Sequence, residues 1–441
     1  MNNPTTIQYE TASTTTRSTL GRALYTLVLI AAVYGMSMVD RTIFGLMLQP
    51  IKKEFALSDT MLGLIGGIGF ALTFALAGLP MSRLADRLSR KWVIAISLAA
   101  YSTVTGLTGL AHTVTQLLLA RMGLAVGEAG VLPASTSMIA DLFPSKSRGR
   151  AMSALGLSAP MATLLGFVLA GWIAQKYGWR GAFMFMGGVG IVLALIMSAT
   201  IAEPSRGAFE IGIADRRHLR LWPTLRFLSR QRSYLFVIAT AVMLAFTTTS
   251  LNAWGPSFLV RIYHLGSREL GVYLGVSMGI GGAAGALLGG WLSDLAGSKR
   301  ARWKLLVPAG AALMQIPTIL LFLFGSNLTE SLIGIGVCVG LLSSQYGAIL
   351  AVVSSVVKVT LRAFAVSLML LFSTIFGTGM GPVCVGFAAD HLKADFGPQA
   401  LRYALCLIIL SCILNAVFAL LATLFFDRDM AAAAREDVGS V

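Results

Sequence analysis

Apolar runs of 18 or more residues recur from one end of this 441-residue chain to the other, and nothing else in it limits the fold as strongly. About 20 apolar residues suffice for a helix to cross the hydrocarbon core of a bilayer. Within that core every backbone N–H and C=O must find its partner inside the protein, so runs of this kind fold as α-helices. Twelve spans can be placed, at about 24–48, 60–82, 92–110, 114–141, 151–175, 181–201, 234–260, 267–292, 304–325, 330–355, 363–389 and 399–426. The chain therefore reads as an all-α membrane protein. Its expected parts are a polar, disordered tail (1–21), a six-helix bundle (22–202), an amphipathic linker (203–233), a second six-helix bundle (234–426) and a short tail (427–441).

Composition agrees. Hydrophobic residues make up 56% of the chain and charged residues only 12%, against about 25% charge in a soluble domain. A soluble enzyme or nucleic-acid binder built this way would aggregate, so the net charge of +15 needs another reading. With both termini placed in the cytoplasm, 24 Lys and Arg fall in cytoplasmic segments, eight on the other side, and two, Arg41 and Arg121, within spans. That asymmetry is the positive-inside rule, and it predicts a multi-pass protein of a bacterial inner membrane. The first 21 residues lack the apolar core and cleavage site of a signal peptide. The four cysteines all sit in apolar spans without metal-ligand spacing, and the four histidines lie near loops.

The two halves repeat. Gly63, Gly67, Asp86 and Lys91 recur as Gly271, Gly275, Asp294 and Lys299, each displaced by 208 residues. A parallel repeat of six spans, related by a pseudo-two-fold axis along the membrane normal, is a transporter architecture with its substrate site near the midplane between halves. The linker sets Leu219, Leu221, Trp222, Leu225 and Leu228 among five arginines. Such a segment is expected to lie in the interface on anionic membrane lipids.

Charges at membrane depth cost about 3 kcal/mol or more each and face a partner or a wet cavity. Asp40 and Arg41 are adjacent in span 1, pointing about 100° apart, so each needs a partner on another helix. Arg121 and Glu128 lie seven residues apart in span 4, on one helix face. Counting from the outer ends of the spans places Asp40 level with Arg121, and Arg41 within reach of Glu128. The four form a cluster that is neutral when both acids are ionised. A carboxylate away from water and from its cation takes up a proton, so the cluster suits proton coupling, with Asp40 as main protonation site. The bland alternative is a set of ion pairs that only fixes packing. The positions in span 7 that repeat Asp40 and Arg41 are Thr248 and Thr249, so coupling is assigned to the first half.

The loop after span 2 reads Asp86-Arg87-x-x-Arg90-Lys91. This pattern resembles the loop 2–3 signature of the major facilitator superfamily. Ser82 replaces the usual glycine four residues before the aspartate, while Gly290 keeps it in the second copy. Arg121 stands at that superfamily's span 4 arginine. Within it the chain resembles the spinster-like transporters, through Asp40-Arg41, Arg121 to Gly127-Glu128-Ala129, Ala140-Asp141-Leu142-Phe143, Arg148, Gly178-Trp179-Arg180 with Phe183, Trp254 with Pro256, and Gly379-x-Gly381-Pro382. Ala125 and Ala162 depart from the family pattern.

The resemblance implies the major facilitator fold and a proton-linked carrier of amphipathic lipids of lysophospholipid or sphingoid type. Asp40, Arg41 and Glu128 would be its functional set, with Arg41, Arg121, Glu128 and Trp254 as substrate contacts. Asp86, Arg87, Arg90, Asp141 and Arg150 would form a cytoplasmic gate. Their alternative role is to set topology at a wet surface, where single ion pairs contribute under about 1 kcal/mol. Glycines at the seam (Gly66, Gly67, Gly69, Gly275, Gly279) are expected to leave a lateral gap for a lipid tail. Two other functions fit the residues: symport of a small soluble acid held by Arg41 and Arg121, and a membrane sensor of the same fold. With no P-loop, catalytic triad or ligand cluster, the chain is expected to be a monomeric non-enzyme without cofactor or metal.

Overall fold

A computed structural model describes residues 4–206, 221–358 and 361–438. Nine helical stretches among these are long and apolar enough to cross a membrane. Two of the nine hold two spans each. Lys146–Thr200 is broken at Gly178, whose φ of +71° interrupts the helix, and Arg362–Ala434 contains the turn at Gly397. The 19-residue helix Arg90–Thr108 supplies span 3. The arrangement is consistent with the twelve spans of the sequence.

The first helix, Pro4–Phe55, begins inside the segment expected to be a disordered tail. Extending a helix already nucleated by an apolar span costs little per residue. Only part of the expected linker falls within the described residues. A helix covers Leu221–Arg230, and residues 207–220, which hold Leu219, Arg216 and Arg217, lie outside the described residues.

Each half packs its own helices. Across the seam, span 5 meets span 8, span 1 meets span 7, and span 2 meets span 11. Outward faces carry Leu76, Leu195, Leu287 and Leu424, all more than half exposed, as suits lipid contact. The Gly178-Trp179-Arg180 corner fastens span 6 to span 1: Trp179 Nε1 donates to Glu54 Oε2 at 2.7 Å, and Arg180 binds the same oxygen at 2.5 Å.

The seam glycines do the reverse of what was expected of them. A Cβ on Gly275 would lie 2.8 Å from the Leu164 carbonyl oxygen, and one on Gly279 would lie 2.7 Å from Leu164 Cβ. Gly67 approaches the Gly379 oxygen, Gly66 the Phe44 ring and Gly69 the Leu118 side chain just as closely. Gly67, Gly275 and Gly279 leave no lateral gap at the seam, where they let helices touch, while Gly66 and Gly69 meet side chains of spans 1 and 4 within the first half. Spans 2 and 11 are both irregular where Gly67 meets Gly379. Span 2 is divided at Gly67 into Asp59–Gly66 and Ile68–Arg87. Span 11 runs as a π-helix over Ser373–Gly379. Such stretches relax the helical ladder and often mark functional positions.

Candidate functional site

The charged cluster forms at the seam. Arg41 Nε donates to Glu128 Oε1 at 3.0 Å, and its Nη2 lies 2.8 Å from the same oxygen. The Arg41 side chain is 37% exposed while that of Glu128 is only 3% exposed, so the arginine alone presents itself to the cavity. Phe70 and Phe74, stacked on each other, lie 4.9 and 5.4 Å from the Arg41 guanidinium. Aromatic faces hold a cation without neutralising it.

Asp40 and Arg121 are brought close to this pair, without a hydrogen-bonded ion pair between the two. Both Asp40 carboxylate oxygens and Arg121 Nε are buried without a hydrogen-bond partner, as is the second oxygen of Glu128. Arg121 instead stacks on Phe44, 3.6 Å from ring centre to guanidinium. The depth argument placed the four residues together; it could not say which cation each acid would bind.

Beside the cluster lies a cavity of about 210 Å³, reached by Arg41 and Arg121 from the first half. The second half faces it with Thr248, Thr249, Asn252, Tyr346 and Thr378. This wall carries small polar side chains among apolar ones and no charge. Thr248 and Thr249 show why: they are the repeat partners of Asp40 and Arg41, hydroxyls where the first half has charges. Trp254 lines the cavity but is fully buried, and its Nε1 is spent on the Pro382 carbonyl at 2.9 Å. It holds span 7 against span 11.

At the basic end, Arg90 and Asp141 form a buried ion pair. Glu203, which the sequence placed only in the linker, joins them, accepting from Arg90 Nε at 2.9 Å, Ser89 Oγ at 2.7 Å and Lys91 N at 2.8 Å. Burial pushes the Glu203 carboxyl up, yet the hydrogen bonds from Lys91, Ser89 and Arg90 prevail and hold it below the usual glutamate range. These contacts join spans 3 and 4 to the end of span 6, all within one half. Arg87 and Arg150 are exposed, and the Asp86 side chain lies outside the described residues.

A polar cluster that crosses the seam sits at the opposite end, where sequence reasoning proposed nothing. Asp59, only 4% exposed at its side chain, takes both Arg261 terminal nitrogens, at 2.6 and 2.9 Å, and Lys52 at 2.5 Å. Arg261 also reaches Gln49. Asp390 of span 11 caps the start of span 2, accepting from Asp59 N at 3.0 Å, Thr60 N at 2.7 Å and Thr60 Oγ1 at 2.6 Å. The available signal was an acid at a helix start, Ser58-Asp59, with basic residues ending spans 1 and 7; their pairing across 202 residues is tertiary.

Two helical bundles that meet around a charged cavity, tied together by polar contacts at one end, define a multi-pass membrane carrier. The comparisons with known proteins agree. The sequence model of the Major Facilitator Superfamily matches residues 30–319, and the chain belongs to that superfamily. Within it the chain is spinster-like. It is 30% identical over 415 residues to an "MFS-type efflux pump" of Mycolicibacterium smegmatis, covering 94% of this chain and 96% of that one. It is 27% identical to the "Sphingosine-1-phosphate transporter SPNS2" of Danio rerio, over 90% of this chain and 84% of the relative. A bacterial homolog of the human lysosomal transporter Spinster, solved in an inward-facing, unoccupied conformation, superposes with a TM-score of 0.81. It shares 25% identity, over 92% of this chain and 98% of that chain.

Proposed function

We propose that this transporter couples protons to the movement of an amphipathic, lipid-like anion of lysophospholipid or sphingoid type by alternating access. The observation that carries the reading is the orphaned carboxyl of Asp40 beside an Arg41–Glu128 pair whose arginine alone faces the cavity. Burying an unpaired charge is so costly that the uncharged form is favoured. With Asp40 protonated and Glu128 ionised the four-residue cluster carries one positive charge, which an anionic head at Arg41 balances. Loss of the Asp40 proton would leave the occupied cluster one charge negative, so the anion and the proton favour each other's presence. The hydroxyls of Thr248, Thr249 and Tyr346 supply neutral partners for the same head group. The sphingosine-1-phosphate substrate named for one relative supports this class of cargo.

In this reading the basic end and both termini face the cytoplasm of a bacterial inner membrane, and the protein works as a monomer. The Asp59–Arg261 cluster then closes the outer side, so the captured state faces inward. Trp254 and Arg121 shape the cavity, and the Arg90–Asp141–Glu203 cluster, with Asp86, Arg87 and Arg150 beside it, forms the inner gate region.

A specific observation favours a second reading, symport of a small soluble acid: both arginines reach one cavity of about 210 Å³, and the seam glycines are packed shut. One experiment separates the two. Proteoliposomes under an imposed pH gradient are tested with lysophospholipids, sphingoid phosphates and small organic acids. Gradient-driven movement of the amphiphiles alone is expected. Asp40→Asn is expected to abolish it while leaving the melting temperature unchanged. Wild-type gradient-driven rates in that variant would remove Asp40 from the coupling mechanism.

A further inference from the structure

A second cavity, of about 620 Å³, lies away from the seam, between the linker helix Leu221–Arg230 and the first turns of spans 7 and 11. Its volume falls within the roughly 300–1,000 Å³ of small-ligand sites. The linker helix is two-faced. Thr224 and Leu228 are buried against the protein, and Phe227 lies under the Lys358 ammonium at 5.0 Å. The remaining stripe, Trp222, Leu225, Arg226 and Ser229, has the i, i+3, i+4, i+7 spacing of a single helix face, and it lines the cavity. Trp222 is 79% exposed. A helix that buries one stripe and turns a second, apolar and basic one toward an open groove leaves that second stripe without a partner among the described residues.

Spans 7 and 11 complete the walls. Leu235 and Ile238 lie on one face of span 7, and Leu368 and Phe372, four residues apart, on one face of span 11. Leu235 and Phe372 are exposed on the outward surface, so the groove opens to the surrounding hydrocarbon. Its charge is confined to Arg226, on the linker helix. The segment 203–232 that carries this helix holds seven basic against three acidic residues, a net +4. The groove thus has an apolar floor at bilayer depth and a guanidinium at its interfacial rim.

We infer that this groove is a binding site for one anionic phospholipid of the surrounding leaflet, with its phosphate on Arg226 and an acyl chain laid between the linker helix and spans 7 and 11. Charge complementarity selects the head, since the rim offers a cation and a hydroxyl; the apolar floor selects a chain. The bound lipid wedges the linker helix against the second half. This site is separate from the central cavity and does not depend on what that cavity carries.

Native mass spectrometry of the full-length protein in detergent tests the proposal. The protein is titrated with dioleoyl phosphatidylglycerol and, separately, dioleoyl phosphatidylcholine. One saturable phosphatidylglycerol adduct is expected, bound about fivefold more tightly than phosphatidylcholine, as one arginine at an anionic head group allows. Arg226→Gln, at an exposed position, should erase that preference. Ile238→Trp, filling the groove, should remove the saturable adduct for both lipids. Lys176→Gln, at the opposite end of the protein, should leave binding unchanged. Equal affinity for the two lipids in the native sequence, unsaturable binding, or an unaltered preference in Arg226→Gln would each overturn the proposal. Displacement of phosphatidylglycerol by a single-chain lysophospholipid would also overturn it, assigning the groove to cargo entry.

Discussion

Replacing Arg261 by Met tests whether the cluster at the end opposite the basic loops controls opening there. Arg261 reaches across the seam from span 7 to give Asp59 two hydrogen bonds, of 2.6 and 2.9 Å, at a site where the Asp59 side chain is 4% exposed. Removing a partner from a buried pair costs about 3–5 kcal/mol when the remaining charge is left alone. Here Lys52, in the same half as Asp59 and 2.5 Å away, still compensates the carboxylate. The loss is then that of the charge-assisted hydrogen bonds, about 2 kcal/mol. All of it weighs on the closed state, because the pair is broken in any conformation that separates spans 2 and 7 at this end. Two kcal/mol is about a thirtyfold change in the ratio of open to closed. Lys52→Met should act in the other direction. It leaves Arg261 as the main cation on Asp59, so separating the halves would strand a buried carboxylate. The assay is electron–electron distance measurement between spin labels at Lys53→Cys and Lys393→Cys, exposed at this end in the two halves, with the native cysteines replaced. Growth of a long-distance population in Arg261→Met and its loss in Lys52→Met are expected. Identical distributions in all three proteins would refute the argument that this cluster holds the halves together.

Other outcomes follow from the same geometry. Arg90→Met removes the buried guanidinium that pairs with both Asp141 and Glu203 and should destabilise the protein by about 3 kcal/mol, read as a fall in melting temperature, whereas Arg150→Met at the exposed surface should leave it unchanged. Gly275→Leu drives a side chain into the Leu164 backbone, 2.8 Å from where its Cβ would sit, so it should lower thermal stability and the transport of every substrate together; selective loss of amphiphile transport in a stable protein would restore the lateral gap. The carboxyl of Glu203 is held below its ordinary value in the folded protein, so its stabilising effect is present above the unfolded-state value of about 4.3 and is lost as pH falls through the lower folded value. Glu203→Gln should therefore make stability less sensitive to pH below about 4.3, measured by thermal melts of the two proteins across pH 3 to 6.

The fold was legible because membrane insertion leaves a helix little alternative. A run such as 267–292 cannot satisfy its backbone in hydrocarbon any other way, and the observed helix Ser267–Lys299 extends it only at the basic end. The depth of the buried charges was legible too, since a rise of about 1.5 Å per residue converts sequence position into height. Height alone puts Arg41 and Glu128, 87 residues apart in sequence, within reach of each other, and Arg41 Nε lies 3.0 Å from Glu128 Oε1.

Azimuth was not legible. Counting residues gives height along a helix but not which neighbour it turns toward, so depth puts Asp40 level with Arg121 without showing that the guanidinium stacks on Phe44 and leaves both Asp40 oxygens without a hydrogen bond. The glycines of spans 2 and 8 pose the same problem: a missing side chain reads equally as a gap or as a contact, and only the position of Leu164 decided for contact. Arg90 and Asp141 of the expected gate are bonded within one half, together with Glu203, while ties across the seam run through Asp59, Arg261 and Asp390. Sequence alone determined that this chain crosses a membrane many times in two repeated halves with four charges at membrane depth in the first, because the cost of exposing backbone and charge to hydrocarbon is local and large. Tertiary structure decided which charges meet and at which end the halves are fastened, because those depend on how whole helices rotate against one another, and the small energies that set those rotations leave no local mark in the sequence.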